Sequence, residues 1–382
     1  MPDPHNPASQ FRLGNVCARI AVSFGLVKPR RIAAAISIVL LTAAVLTACS
    51  PSGPTPHKIG LLLPDTVSSR YATDRSEFTA EVARLDPSAK VTYGNADGNA
   101  GTQEAQAVAM LKSGVTVLVL DPYDVRAAVY IVARAKAKHV PVIDYDSLIS
   151  GSGSTYYVGY DDVKAGELQA TAFVSKLKAQ GVATGSGILL VNGSASASVA
   201  TLTAKGAHSV IDASGYTVLA EYQTPGGVPS FASTWVQARI SQFGSKIQGV
   251  YAANDGLAAG VLAATTAAKV DPTTLALTGR GASFSAIQNL LADTQQMTLY
   301  APIKPEAVKA ATLAVELLAG THRSAPDAVP STSGGTVPSF LLTPVVVTKT
   351  NIQSTVIKDG FDKVERICTR AFAAKCTAQG IH

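Results

Sequence analysis

The chain has 382 residues, of which 47% are hydrophobic and 15% charged, a length and composition that favour two cores over one. Much of its net charge of +6 lies in residues 1–48, which hold five Lys or Arg against one acid and leave 27 basic and 25 acidic residues in the remainder. With this near balance and no basic stripe, the sequence does not indicate nucleic-acid binding.

The first predicted element is an export signal. Three basic residues at 28, 30 and 31 precede an apolar run over residues 32–48, which ends in small residues before Cys49. The segment Leu-Thr-Ala-Cys at 46–49 resembles the bacterial lipobox, whose cysteine receives lipid. We therefore predict a lipoprotein signal peptide at 1–48, lipidation at Cys49, a tether at 49–57 and attachment to the outer face of the cell membrane. A plain transmembrane anchor is the alternative.

A strand, a polar loop and a helix follow. Residues 58–63 form a short apolar run stopped by Pro64, which is typical of a buried strand. Apolar residues then recur at helical spacing over residues 78–85. In parallel α/β sheets, ligands bind at the loop that follows such a strand. Arg70, Tyr71 and Asp74 are therefore candidate ligand-binding residues.

The same alternation continues to the end of the chain and predicts an α/β fold with doubly wound parallel sheets. Further strands are predicted at 89–93, 115–120, 140–143, 156–160, 187–191, 216–221, 247–252, 275–278, 297–300 and 341–347. Helices are predicted at 102–112, 125–138, 162–180, 200–213, 231–243 and 305–318. Polar residues at the carboxyl ends of the strands add candidates for the ligand site: Asp121, Asp146, Ser147, Asn254 and Asp255.

Most of these candidates have a second interpretation. Arg70 and Asp74 have the spacing of a surface ion pair on a helix, and Asn254 suits a helix N-cap. The acids at 121 and 146 fit solvated loop residues. Tyr71 either stacks on a ligand or packs against the core.

The cysteines agree with export. Once Cys17 is removed with the signal and Cys49 is lipidated, Cys368 and Cys376 remain as one pair in an oxidising compartment. On one continuous helix they would lie about 12 Å apart along the axis, too far to bond. A disulfide therefore requires a turn within residues 369–375, and two free thiols are the alternative.

Several segments together resemble the periplasmic sugar-binding proteins of ABC importers, most closely the D-xylose-binding branch. They include KIGLLLPD from residue 58, SGVTVLVLDPYD from residue 113, YAANDGLAAG from residue 251 and FLLTPVVVTKTNI from residue 340. The resemblance implies a type I periplasmic binding protein fold, with two Rossmann-like lobes joined by three hinge crossovers near residues 160, 300–303 and 340–344. The lobes would comprise residues 58–160 with about 301–342, and residues 161–300 with about 343–382.

The resemblance also implies a function. A monosaccharide would bind in the cleft between the lobes and be delivered by a monomeric receptor to an ABC permease, without a cofactor. The six histidines contain no i, i+4 pair for a metal, and the sequence contains no complete motif for a catalytic nucleophile. We therefore expect neither a metal nor an enzyme. A sensory co-receptor that binds a sugar-like or anionic ligand is the alternative function.

The expected sugar contacts are only partly retained. Arg70 and Asn254 match the family pattern, but Ser147, Gly281 and Ala301 stand where the pattern has an arginine, an aspartate and a lysine. The family's stacking tryptophan is replaced within residues 225–228. Arg280 brings a positive charge to the altered region, where it would serve an anionic ligand or lie on the surface.

Overall fold

The computed structural model describes residues 57–65, 70–195, 197–331 and 334–382. The predicted signal peptide, the lipidation site at Cys49 and residues 50–56 of the tether lie outside these ranges, as does the loop at 66–69. Within the described ranges, no helix combines the length and the apolar character needed to span a bilayer.

Strands and helices alternate through most of the chain. The strands are β1 (Lys58–Leu63), β2 (Lys90–Asn95), β3 (Val117–Leu120), β4 (Val142–Tyr145), β5 (Tyr156–Tyr160), β6 (Gly187–Asn192), β7 (Thr217–Gln223), β8 (Ile247–Ala252), β9 (Ala276–Leu277), β10 (Thr298–Tyr300), β11 (Asp327–Pro330), β12 (Thr336–Leu342) and β13 (Val345–Val347). The helices are α1 (Arg70–Leu85), α2 (Ala100–Lys112), α3 (Val125–Lys136), α4 (Asp162–Ala179), α5 (Ser198–Ile211), α6 (Pro229–Phe243), α7 (Asp255–Ala267), α8 (Phe284–Leu291), α9 (Ile303–Leu318), α10 (Val364–Ile367) and α11 (Ala373–Ala378).

The larger sheet has the strand order β11-β12-β5-β4-β3-β1-β2. All neighbours are parallel except β11, which runs antiparallel to β12. Ile59, Leu61 and Leu63 of β1 pack with α1 and α9, whereas Leu62 packs with α2 and α3. The sheet is therefore covered on both faces, as expected of parallel strands with continuous apolar sequence. We call this sheet with α1, α2, α3 and α9 the first lobe.

A second sheet has the strand order β7-β6-β8-β9, all parallel. A parallel bridge between Arg280 and Leu299 connects it to the antiparallel pair β10 and β13. Helices α4 and α5 pack closely together, and the apolar core around β6 and β8 includes residues of α4, α5, α6 and α7. We call these elements, with α8, α10 and α11, the second lobe.

The chain passes between the two sheets three times. It leaves the first sheet after β5 and enters α4, which packs against α5 and the second sheet. It returns after β10 into α9, which packs against α1 and the first sheet. It crosses again between β12 and β13. Three crossovers between two α/β lobes match the predicted fold class.

Two sequence predictions of secondary structure need correction. The strand predicted at 341–347 is two strands, because β12 ends at Leu342 in the first sheet and β13 begins at Val345 in the second. The strand predicted at 140–143 is shifted to Val142–Tyr145. Asp144 is therefore buried within a strand and is not a loop residue at the cleft. The antiparallel strand β11 and helix α8 were not predicted.

Cys368 and Cys376 form a disulfide with a Cα–Cα distance of 5.9 Å. Helix α10 ends just before the first cysteine, and α11 begins at Ala373. The intervening turn lies where the helix-length argument requires it. Cys376 is buried in an apolar cluster with Ile352 and Ile381. The disulfide closes the turn between α10 and α11, and this apolar packing holds the segment in the second lobe.

Candidate ligand-binding site

The carboxyl-terminal edge of the first sheet gathers most of the predicted site residues. Asp121 directly follows β3, Asp146 and Ser147 follow β4, and Arg70 and Tyr71 begin α1. Because ligands bind at this edge in parallel α/β sheets, the fold supports the grouping that the sequence predicted.

Arg70 is surrounded by carboxylates. Its Nε lies 3.1 Å from Asp74 Oδ2, its Nη1 3.0 Å from Asp146 Oδ1, and its Nη2 2.7 Å from Glu306 Oε2. Burial alone would lower the pKa of Arg70, but the three carboxylates raise it well above its ordinary value. The predicted ion pair with Asp74 is thus part of a largely buried network and not a solvated surface pair.

Asp74 is 1% exposed and accepts a hydrogen bond from the hydroxyl of Tyr145 as well as from Arg70. Burial raises the pKa of Asp74, and the charge of Arg70 partly opposes that shift. The carboxylate is therefore held by the protein itself, which makes it a support for Arg70.

The backbone of Asp146 adopts a left-handed conformation, with φ 59°, which is uncommon for residues other than glycine. Its N–H donates to the carbonyl of Val158 at 2.9 Å, and its carbonyl accepts from the hydroxyl of Tyr157 at 3.1 Å. These two bonds hold the turn after β4 so that the Asp146 carboxylate meets Arg70. Residues held in such conformations are concentrated at functional sites.

Two buried carboxylate oxygens lack a hydrogen-bond partner within the described residues. They are Oδ2 of Asp121 and Oε1 of Glu306, whose side chains are 2% and 0% exposed. Burial, followed by repulsion from Asp146, raises the pKa of both carboxyls well above ordinary values. Such acceptors cost about 1 to 3 kcal/mol each when left unpaired, so both are suited to a donor from outside the chain.

The remaining first-lobe candidates have local contacts. Tyr71 packs against the first-lobe core, and burial, followed by the nearby Asp121 carboxylate, raises its pKa. The N–H of Ser147 donates to the carbonyl of Tyr145 at 2.6 Å and forms part of the turn. Contact of either side chain with a ligand stays a prediction.

The second lobe contributes Asn254 and Asp255 from the junction of β8 and α7. Asn254 Oδ1 accepts from the N–H of Leu257 at 2.8 Å, so Asn254 is the N-cap that one interpretation predicted. Asp255 is 6% exposed and accepts from Thr298 at 2.8 Å, from Gln295 at 3.1 Å and from the N–H of Ser283 at 2.8 Å. Burial raises the pKa of Asp255, and these bonds lower it.

Arg280 follows β9 and is paired within the second lobe. Its Nη2 lies 2.6 Å from Asp162 Oδ1, and its Nη1 donates to Thr203 Oγ1 at 3.0 Å. Its positive charge is therefore opposed by a carboxylate of the same lobe. This pairing weakens the case for an anionic ligand at Arg280.

Tyr157 lies near charged residues of both lobes, Asp146 in the first and Asp162 and Arg280 in the second. It belongs to the first sheet, and its hydroxyl donates to the carbonyl of Asp146. Burial raises the pKa of Tyr157, with further contributions from the carboxylates of Asp162 and Asp146 and an opposing one from Arg280. The polar edges of the two lobes therefore approach each other at Tyr157.

Sequence reasoning missed two members of this site, Glu306 and Asp162. Glu306 lies in the first turn of α9, directly after the second crossover. An acidic residue at that position is the sequence signal that could have indicated its place in the site. From the sequence alone, either Asp161 or Asp162 fits the cap of α4, and Asp161 makes it by accepting from the N–H of Lys164 at 2.9 Å. Asp162 is instead the partner of Arg280.

The strand ends of the first lobe offer carboxylates and the guanidinium of Arg70, and those of the second lobe offer the amide of Asn254 and the guanidinium of Arg280. Groups of this kind form paired hydrogen bonds with hydroxyl-rich ligands. Within the described residues, no three His, Cys, Asp or Glu side chains are arranged to hold a metal ion. The polar groups present can form hydrogen bonds and charge interactions with a ligand.

Two α/β lobes, three crossovers and polar residues on facing strand ends define a two-lobed binding protein. A family model for the periplasmic binding protein domain matches residues 59–322. The chain belongs to this family.

Curated relatives agree. The chain is 35% identical to the D-xylose-binding periplasmic protein of Escherichia coli K12 over 310 residues, which cover 80% of this chain and 91% of that protein. It is 32% identical to the D-xylose-binding periplasmic protein of Haemophilus influenzae over 336 residues, covering 87% and 98%. The predicted resemblance to the D-xylose-binding branch is confirmed.

A solved structure supports the fold. An ABC transporter solute-binding protein from Clostridium phytofermentans, crystallised with β-D-glucose, aligns with a TM-score of 0.65 and 24% identity. The alignment covers 81% of this chain and 99% of that protein. The type I periplasmic binding protein fold is therefore confirmed.

Proposed function

We propose that the protein is a sugar receptor of an ABC importer, held at the outer face of the cell membrane by lipid on Cys49. The hinged lobes comprise residues 58–160 with about 301–342, and residues 161–300 with about 343–382. A monosaccharide or polyol binds between them, and the closed receptor delivers it to a permease. The protein binds its ligand without converting it.

The observation that carries the proposal is the pair of polar walls at the sheet edges. Arg70, Asp121 and Asp146 belong to the first wall, and Asn254 and Arg280 to the second. A ligand that contacts both walls is bound best when the lobes are closed, so it shifts the population towards the closed form. The D-xylose-binding relatives support a sugar as that ligand.

A thermal-unfolding panel tests the ligand class. Full-length protein in detergent is heated with pentoses, hexoses, amino sugars, polyols, amino polyols and sugar acids, each in large excess. A ligand present at about 100 times its dissociation constant should add about 2.7 kcal/mol to the free energy of unfolding. The variant Asp121→Asn should lose part of this gain, whereas Asp271→Asn, at an exposed position before β9, should retain it. If no sugar or polyol stabilises the protein, the proposed receptor function is wrong.

Membrane attachment has a separate test. The variant Cys49→Ser cannot receive the thioether-linked lipid, so it should move from the membrane fraction into the soluble extracytoplasmic fraction or remain unprocessed. Metabolic labelling with a fatty-acid analogue should mark the wild type and not the variant. Equal labelling of both would contradict lipidation at Cys49 and leave the sugar-binding proposal standing.

A further inference from the structure

The first wall of the cleft has more carboxyl groups than cationic groups. One guanidinium, that of Arg70, lies in a cluster with four carboxyl groups: Asp74, Asp121, Asp146 and Glu306. The second wall does not compensate, because Arg280 lies 2.6 Å from Asp162. When the carboxylates are ionised, the site holds more negative than positive charge.

The positive charge of Arg70 is already engaged by the chain. Each of its three nitrogens lies within 3.1 Å of a different carboxylate. Two carboxylate oxygens of the same cluster, Asp121 Oδ2 and Glu306 Oε1, remain without a partner among the described residues. What this wall lacks is a donor with a positive charge.

Ligand chemistry can be ranked against this wall. A carboxylated sugar would find no unpaired cation here, because Arg70 and Arg280 already lie against carboxylates of the chain. A neutral sugar supplies hydroxyl donors but no charge. An ammonium group supplies three donors and a positive charge. Its bond to an ionised carboxylate therefore gains attraction between opposite charges, beyond the charge assistance that a neutral hydroxyl also receives.

We propose that the ligand is an amino sugar or amino polyol whose ammonium group binds the carboxylates around Asp121 and Glu306, while its hydroxyls contact the rest of the cleft. This inference rests on the proposed receptor function and narrows its ligand class. The replaced family positions Ser147, Gly281 and Ala301 are consistent with a ligand other than a plain pentose.

Binding is then linked to protons. In the empty site, burial and mutual repulsion raise the pKa values of Asp74, Asp121 and Glu306, so these carboxyls tend to hold protons. A bound cation favours the ionised forms of these carboxyls, so binding releases their protons. The affinity for the cationic ligand therefore rises with pH, by up to about tenfold per pH unit for each proton released. The charged and titratable groups that face the cluster come from α1, the end of β1, β3, β4, β5, α4 and α9: Arg70, Tyr71, Asp74, Asp65, Asp121, Tyr145, Asp146, Tyr157, Tyr160, Asp162 and Glu306.

Three matched pairs of probes test the inference by isothermal titration of the full chain in detergent. They are D-glucose with D-glucosamine, D-galactose with D-galactosamine, and D-glucitol with 1-amino-1-deoxy-D-glucitol. N-acetyl-D-glucosamine controls for size without charge, and D-glucuronate supplies the opposite charge. In at least one pair the amino compound should bind at least tenfold more tightly than its neutral partner. The affinity of that amino compound should rise from pH 5 to pH 7.

Variants locate the effect. Asp121→Asn and Glu306→Gln should each reduce the preference for the amino compound by about tenfold and flatten its pH dependence. Asp271→Asn should change neither. Since a neutral sugar does not need the charge, its affinity should change less than that of the amino compound in the two cleft variants.

The outcomes separate the inference from the proposed function. The amino-ligand inference is overturned if the neutral sugar binds as tightly as its amino partner in every pair, or if glucuronate binds more tightly than the amino compounds. The protein would then still be a sugar receptor. Absence of binding by every sugar and polyol would overturn both. The inference is also overturned if Asp121→Asn and Glu306→Gln prefer the amino compound over its neutral partner as strongly as the wild type does. The ammonium would then bind elsewhere.

Discussion

Asp144 illustrates how a single buried carboxylate can control the pH dependence of stability. Its side chain accepts hydrogen bonds from the hydroxyl of Ser154 and from the N–H of Ile149. Burial raises the pKa of Asp144 to about 7. Between its ordinary value of about 4 and this raised value, the folded protein holds a proton that the unfolded chain has lost. Asp144 therefore makes the folded state less stable as the pH rises through this range.

Replacing Asp144 with Asn should remove that contribution. From pH 4 to pH 7, the Asp144 carboxyl should lower the free energy of unfolding of the wild type by up to about 4 kcal/mol, and Asp144→Asn should lack this decrease. Urea unfolding at pH 4, 5, 6 and 7 measures the two slopes. Asp271→Asn, at an exposed site, should follow the wild type. Parallel slopes for the wild type and Asp144→Asn would contradict the assignment of a buried, protonated carboxyl.

At the residue scale, sequence reasoning could locate the first wall but not its contacts. Arg70, Asp121 and Asp146 were predicted because polar residues after parallel strands meet at one edge of a sheet. Glu306 was missed because it lies 236 residues from Arg70, and their contact depends on how α9 packs against α1. Local patterns along the chain contain no information about such a distant pair.

At the scale of elements, the contact between α4 and α5 depends on two glycines. A Cβ at Gly166 would lie 2.0 Å from the carbonyl oxygen of Thr203, and one at Gly206 would lie 1.9 Å from the carbonyl oxygen of Val163. Both obstacles are backbone atoms, which cannot move aside as a flexible side chain can. The two helices therefore approach so closely that only glycine fits at these positions.

Gly206→Ala should separate these helices and lower the free energy of unfolding by about 2 to 3 kcal/mol, despite the higher helix propensity of alanine. Urea unfolding followed by the fluorescence of Trp235, the one tryptophan of the chain, measures the loss. Gly101→Ala in α2 is the matched control, because that position is exposed and a Cβ would meet only Asn99 Oδ1 at 3.2 Å. Equal stability of the two variants would contradict a tight contact between α4 and α5.

The alternation of strands and helices was predictable because apolar runs and helical spacing are local signals. The run at 341–347 shows the limit of this approach. It contains two Leu before Thr343 and Pro344 and three Val after them, and this apolar composition alone favours one strand. The break is a crossover, and which sheet each half joins is decided by pairing with β5 and β10, which composition cannot reveal.

At the scale of the whole molecule, a hydrogen bond links two of the three crossovers. The hydroxyl of Tyr160, the last residue of β5, donates to the carbonyl of Pro302, which lies between β10 and α9. The chain leaves the first lobe at one of these positions and returns at the other. This bond therefore joins two of the segments proposed as the hinge and does not lie in the interior of either lobe.

Tyr160→Phe should loosen the hinge while leaving both lobes folded. Loss of one such bond costs about 0.5 to 1.5 kcal/mol of stability, and the ligand-free protein should sample wider angles between its lobes, seen as a larger radius of gyration by small-angle X-ray scattering. Tyr156→Phe is a matched control, because the Tyr156 hydroxyl donates to the carbonyl of Arg323 at 2.8 Å, away from the crossovers. It should cost similar stability without a change in radius. If the two variants scatter identically, the Tyr160 hydroxyl contributes to stability but does not restrict the motion of the lobes.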